Sequence, residues 1–193
     1  MNSFSTPFMN EALFALLGAL EARDAYDRDH ASRDNQVTFV KKLLMRFKIA
    51  PRIQQQVINA TLIHDIGMIS VPDSILLKPG RLNKDERTVI EHSPYVGANI
   101  LARVPSLAAE RKMILHQSEW WDGNGYPGGL QGKSIPLGSR FLAVVKAVDA
   151  MTKDRVYRRA RPISYCLQEL QEYSTIQFDP TIADVAASLL CKR

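Results

Sequence analysis

Phe141-Leu142-Ala143-Val144-Val145-Lys146-Ala147-Val148-Asp149-Ala150-Met151-Thr152 decides the fold class. Phe141, Val144, Val145 and Val148 fall at i, i+3, i+4 and i+7, which lays one apolar stripe along a helix. The spacing recurs upstream in Val40, Leu43, Leu44 and Phe47. Downstream it returns in Ile163, Cys166, Leu167 and Leu170, and again in Ile182, Val185, Ala186 and Leu189. Strand-like alternation is nearly absent, and Met68 to Val71 is the only short candidate. The pattern predicts an all-α bundle of about seven or eight helices, with residues 1–193 forming a single domain. No internal repeat or interdomain linker interrupts it.

Helix punctuation agrees. Pro51 is placed to open a helix running towards His64. Asn83, three residues before Glu86, suits a capping box. Ser93-Pro94 is expected to end one helix and start the next. Asp179-Pro180 suits an N-cap followed by the first helical residue. Asp122 to Gly138 is rich in Gly and Pro and reads as one long loop, a feature that is usually functional or disordered.

A chain of 193 residues with 46% hydrophobic content can bury a sizeable core, and 23% charged residues exclude a disordered or low-complexity chain. The net charge of +5 suits a polyanionic ligand, although many basic proteins bind none. Cys166 and Cys191 both sit among apolar residues and are expected to be buried thiols of a reducing compartment. No apolar run is long enough to cross a bilayer, and Met1 to Asn10 lacks the features of a signal peptide, so a cytoplasmic location is expected.

The four histidines are His30, His64, His92 and His116. His64-Asp65 lies near the end of an apolar helix, where an imidazole and a carboxylate can share one cation. A dipeptide of this kind is common by chance. His92 and His116 lie on two other helices and His30 starts a fourth. The pattern supports equally a metal site in a bundle core and histidines scattered over the surface.

Longer motifs narrow the choice. Leu62-Ile63-His64-Asp65-Ile66-Gly67 is followed by Val71-Pro72-Asp73-Ser74-Ile75-Leu76-Leu77-Lys78-Pro79-Gly80. His92-Ser93-Pro94 precedes Gly97-Ala98-Asn99-Ile100-Leu101. Glu119 leads into Trp121-Asp122-Gly123-Asn124-Gly125-Tyr126-Pro127. Ile135-Pro136-Leu137-Gly138-Ser139-Arg140, Asp149-Ala150-Met151-Thr152, Arg155-Val156-Tyr157-Arg158 and Gln177-Phe178-Asp179-Pro180 complete the series. In this order, from about Leu20 to Leu190, the chain resembles HD-GYP domains, the cyclic di-GMP phosphodiesterase branch of the HD hydrolases.

The resemblance implies a dinuclear centre, often of iron or manganese, whose bridging hydroxide attacks a phosphodiester. By position the metal ligands are His30, His64, Asp65 and His92, with His64 and Asp65 as the catalytic dyad. Gly125, Tyr126, Asp149, Arg155 and Arg158 take the places that bind the nucleotide. The sequence departs from the family pattern at four positions. Gln117 and Ser118 stand where the family has two adjacent histidines before the glutamate. Lys146 replaces an aspartate ligand, and Met68 replaces a phosphate-binding lysine.

These departures lead to an expected degenerate member that does not hydrolyse its ligand. It would bind cyclic di-GMP or another anionic nucleotide, or dock a partner protein through the Gly125-Tyr126-Pro127 loop and Trp120/Trp121. The alternative is an active metal-dependent phosphodiesterase with a rearranged or single-metal site. Lys146 and Asp149, three apart on one helix face, are expected to pair, or Lys146 to pair with Asp65. DNA binding is not expected, because no helix-turn-helix signal is present.

Overall fold

The computed structural model describes residues 7–23, 30–153 and 159–191. The central stripe is helical as its spacing requires. The helices are α1 (Pro7–Arg23), α2 (His30–Leu44), α3 (Pro51–Ile63), α4 (Asp73–Leu76), α5 (Lys84–Leu101), α6 (Ala108–Leu115), α7 (Leu137–Thr152), α8 (Ile163–Glu172) and α9 (Pro180–Leu190). Tight 3-10 turns cover Ile66–Ser70, Pro105–Leu107 and Gly132–Ser134.

The described residues are all-helical. They hold nine α-helices, more than the seven or eight read from periodicity. α4 is a single turn of four residues, too short to show a repeat.

α7 is the axis. It packs against α2, α3, α6, α8 and α9. Being surrounded, it buries Leu142 as well as the stripe of Phe141, Val144, Val145 and Val148. Phe47 meets Phe141 edge to face at 5.2 Å between ring centroids. No helix among the described residues is long and apolar enough to cross a membrane.

The caps follow the local chemistry. Pro51 opens α3. The Asn83 side chain accepts from the Glu86 backbone N–H at 2.9 Å, and the Glu86 carboxylate accepts from the Asn83 N–H at 2.8 Å. Asp179 caps α9 through the N–H groups of Thr181 and Ile182.

Three local expectations are corrected. Pro94 lies inside α5 rather than between two helices. Proline costs one backbone bond there, but Ser93 and Pro94 are buried against the Ile66–Ser70 turn, and that packing carries the helix through. Met68 to Ser70 is 3-10 helix rather than strand. Cys166 is buried as expected, whereas Cys191, at the C-cap of α9, is exposed.

Candidate functional site

The site begins where α3 stops. His64 is the C-cap, at a helix end whose last carbonyls have no partner within the helix. His64 Nδ1 lies 2.8 Å from the Thr61 carbonyl oxygen and donates to it. That bond fixes the ring, so Nε2 faces Asp65 Oδ2 at 3.0 Å. The His64 side chain is 7% exposed and that of Asp65 47%, so the dyad has a buried base and an open carboxylate.

The segment after α6 ties this dyad to the rest of the site. The Gln117 side-chain N–H donates to the His64 carbonyl oxygen at 2.9 Å. Lys146 Nζ, from the middle of α7, donates to Gln117 Oε1 at 3.0 Å. The next residue, Ser118, accepts at its carbonyl from the Tyr126 N–H at 3.1 Å. His64, Gln117, Lys146, Ser118 and Tyr126 therefore form one connected unit, although they come from three separate parts of the chain.

Glu119 organises the long loop that follows, a role the sequence reading missed. Its buried carboxylate accepts from the Gly128 N–H at 2.7 Å and from the Leu130 N–H at 3.0 Å. His116 Nδ1 lies 3.0 Å from the same group. The available signal was an acid set just before a Gly-rich stretch whose N–H groups lack regular partners. A side chain at Gly125 would collide with the backbone of Glu119 and Trp120, so the loop can fold back only on a glycine there. The loop also docks on the α8–α9 connection, with the Trp121 N–H donating to the Gln177 carbonyl at 3.2 Å. Trp120 and Trp121 are half-buried, and the Arg140 guanidinium sits over the Trp121 ring at 5.9 Å. These contacts place Trp121 within the fold.

The remaining positions divide. His92 is exposed on α5, its ring 5.1 Å from that of Tyr95, beside a groove of about 600 Å³ between α1 and α5. Asp149 pairs with Lys153 at 2.9 Å and borders a small cavity of about 40 Å³ against Asn35 and Gln36 of α2. Met68 is half-buried in the turn after the dyad. Gly67 beside it presses so closely on the Ser93 backbone that no side chain fits. His30 begins α2, but its side chain, like the whole of Arg155 and Arg158, lies outside the described residues.

The donor set tests the implied metal. A ring nitrogen and a carboxylate oxygen 3.0 Å apart, with the other ring nitrogen held by a carbonyl, suit one cation. Where the resemblance implies the further ligands of a dinuclear centre, the chain has an amide at Gln117, a hydroxyl at Ser118 and an ammonium at Lys146. These do not fit one. Among the described residues, no three His, Cys, Asp or Glu side chains form a metal-holding group.

Comparison with known proteins settles the ancestry. The sequence profile of the HD domain matches residues 20–182. The chain belongs to the HD domain family. Its motifs and relatives place it in the HD-GYP branch. A cyclic di-GMP phosphodiesterase of Vibrio cholerae is 32% identical over 90% of this chain and 38% of its own length. A cyclic di-GMP phosphodiesterase response regulator of Xanthomonas campestris is 34% identical over 90% of this chain and 46% of its own. The chain thus spans less than half the length of these HD relatives. The solved structure of a cyclic GMP-AMP phosphodiesterase of V. cholerae shares the fold, with a TM-score of 0.65 and 19% identity over 93% of this chain and 48% of that one.

Proposed function

We propose that this HD domain recognises a cyclic dinucleotide of the cyclic di-GMP class. The observation that carries the reading is the Gln117–Ser118 pair. Gln117 holds the end of the dyad helix and Lys146, while Ser118 holds Tyr126. The dyad, an ammonium and the loop of the family signature thereby become neighbours in one site. An ammonium and the basic balance of the chain favour a phosphodiester. Gly125, Tyr126 and Asp149, with Arg155 and Arg158, are the proposed nucleotide contacts, and the cytoplasm is the proposed compartment.

Two readings of the consequence remain. The side chains favour binding without hydrolysis, because amide, hydroxyl and ammonium stand where a two-metal centre needs donors. The relatives favour hydrolysis, since those compared are named as phosphodiesterases of cyclic di-GMP or of 3'3'-cGAMP. On that comparison the phosphodiesterase reading outweighs the non-catalytic one that the sequence put first. A single ion held by His64 and Asp65, with His30 in support, would be its centre; His92, exposed on α5 beside Tyr95, is not brought to it.

One experiment separates the two. Purified chain is titrated with cyclic di-GMP by calorimetry, then incubated with it and manganese or iron(II). Saturable binding without product supports the binding module. Turnover of roughly one per second or more, lost in His64→Ala, establishes the hydrolase. Neither binding nor turnover removes the cyclic dinucleotide from the account.

A further inference from the structure

We propose that the ammonium of Lys146, acting through Gln117, is the built-in cation of this site and holds the His64–Asp65 dyad in place without a metal ion. Lys146 sits half-buried at the centre of α7, flanked by the buried Val145 and beside the buried Leu142. An ammonium in such a place requires polar partners. Gln117 Oε1 supplies one at 3.0 Å.

That contact fixes which way the amide points. Gln117 is buried, and its two ends are chemically opposite, one accepting and one donating. With Oε1 committed to a cation, the NH2 end must face the other way, where it donates to the His64 carbonyl at 2.9 Å. This carbonyl lies at the C-terminal end of α3, the negative end of the helix dipole, where a cation is favoured. The ammonium thus joins α7, the segment after α6 and the end of α3. Linking separate helices around a charge is the structural part of what a bundle-core metal does. Lys146 and Gln117 are positioning residues for the dyad.

The inference rests on the reading in which the site binds its ligand without a metal-held hydrolytic centre; within that reading it concerns the scaffold and does not depend on which nucleotide binds. The test uses the full chain as wild type, Lys146→Met and Lys146→Arg, purified without chelator. Metal content is measured by elemental analysis, and thermal unfolding is followed in EDTA and in manganese. The wild type should hold no metal and melt at the same temperature in both buffers. Lys146→Met should melt about 3–12 °C lower in EDTA, the loss of one charge-assisted bond in a chain of this size, and manganese should recover part of it. Lys146→Arg keeps a cation that can donate to Gln117, so it should stay insensitive to metal. The proposal is overturned by stoichiometric metal in the wild type, by a wild-type Tm that falls in EDTA, or by an unchanged Lys146→Met. If Lys146→Met does not fold, Lys146→Arg decides: a folded, metal-insensitive protein supports the proposal, and one that needs manganese refutes it.

Discussion

Glu119 accepts the backbone N–H of Gly128 at 2.7 Å, and through that bond a buried carboxylate holds the loop carrying Gly125, Tyr126 and Pro127. The neighbouring N–H of Leu130 binds the other carboxylate oxygen at 3.0 Å. Loop N–H groups away from regular structure need partners, and one acid provides for two of them. His116 closes the arrangement from the C-cap of α6.

Glu119→Ala should therefore free the loop. The substitution removes two backbone partners and one imidazole partner from a buried site, a loss of about 3–5 kcal/mol. For a chain of this size that is a fall in Tm of about 6–20 °C. Limited proteolysis should show new cleavage between residues 122 and 138. A variant as protease-resistant as wild type would show that the loop is held by its other contacts, such as the Trp121 N–H to the Gln177 carbonyl.

Gly67→Ala should destabilise the chain sharply. The new methyl would overlap the Ser93 carbonyl, a backbone atom that cannot rotate away, so the turn after the dyad must part from α5. Overpacking of this kind costs about 1–3 kcal/mol or more. Gly18→Ala is the control, because nothing lies within 4 Å of its added carbon. In a helix that exchange is expected to raise stability by up to about 1 kcal/mol. Paired thermal melts check both signs.

What the sequence made legible was periodic or local. The Phe141–Val148 stripe announced α7, and Asn83, Asp179 and Pro51 announced helix starts, because each acts within one or two turns. Pro94 misled for the converse reason: its local cost is outweighed by burial against a turn distant in sequence. The bond from Gln117 to His64 spans 53 residues and has no periodic trace. Gln117 was read only as an absent ligand, when it is the link between the dyad and α7. His92 matched a motif, but a motif gives order along the chain and not the direction of a ring. The structure leaves that ring exposed on α5.

Glu110 gives the stability a pH dependence. It is 1% exposed between α6 and α3, and burial raises its pKa above the usual carboxylate value, opposed by the Asn59 amide that donates to Oε1 at 3.0 Å. Its Oε2 has no hydrogen-bond partner among the described residues. A carboxyl whose folded pKa is raised favours folding most below its unfolded value near 4.5. That contribution is lost as pH rises through the folded pKa, because the charged form must be buried. Glu110→Gln keeps an oxygen for Asn59 and carries no charge. Relative to wild type, its Tm should improve as pH rises from about 4.5 to 7. A constant Tm difference across that range would mean that Glu110 is not strained by ionisation.

Lys146→Asp should open the site to metal. The ammonium now contacts the amide that binds the His64 carbonyl, which brings a positive charge into the neighbourhood of the dyad. A unit charge acting on a divalent ion at an effective dielectric of about 20 costs several kcal/mol at short range, and half-exposure reduces this to a few. Even about 3 kcal/mol is a hundredfold in affinity. Reversing the charge removes the repulsion and adds a carboxylate donor. Gln117→His alone adds an imidazole but leaves the ammonium, so it should raise metal uptake less than Lys146→Asp does. With Ser118→His added, the triple variant carries the donor types a dinuclear centre requires and should approach two metals per chain. Elemental analysis of the folded single and triple variants reads the result directly. If Lys146→Asp leaves uptake unchanged in every background, the ammonium does not guard the site, and its bond to Gln117 is only a packing contact.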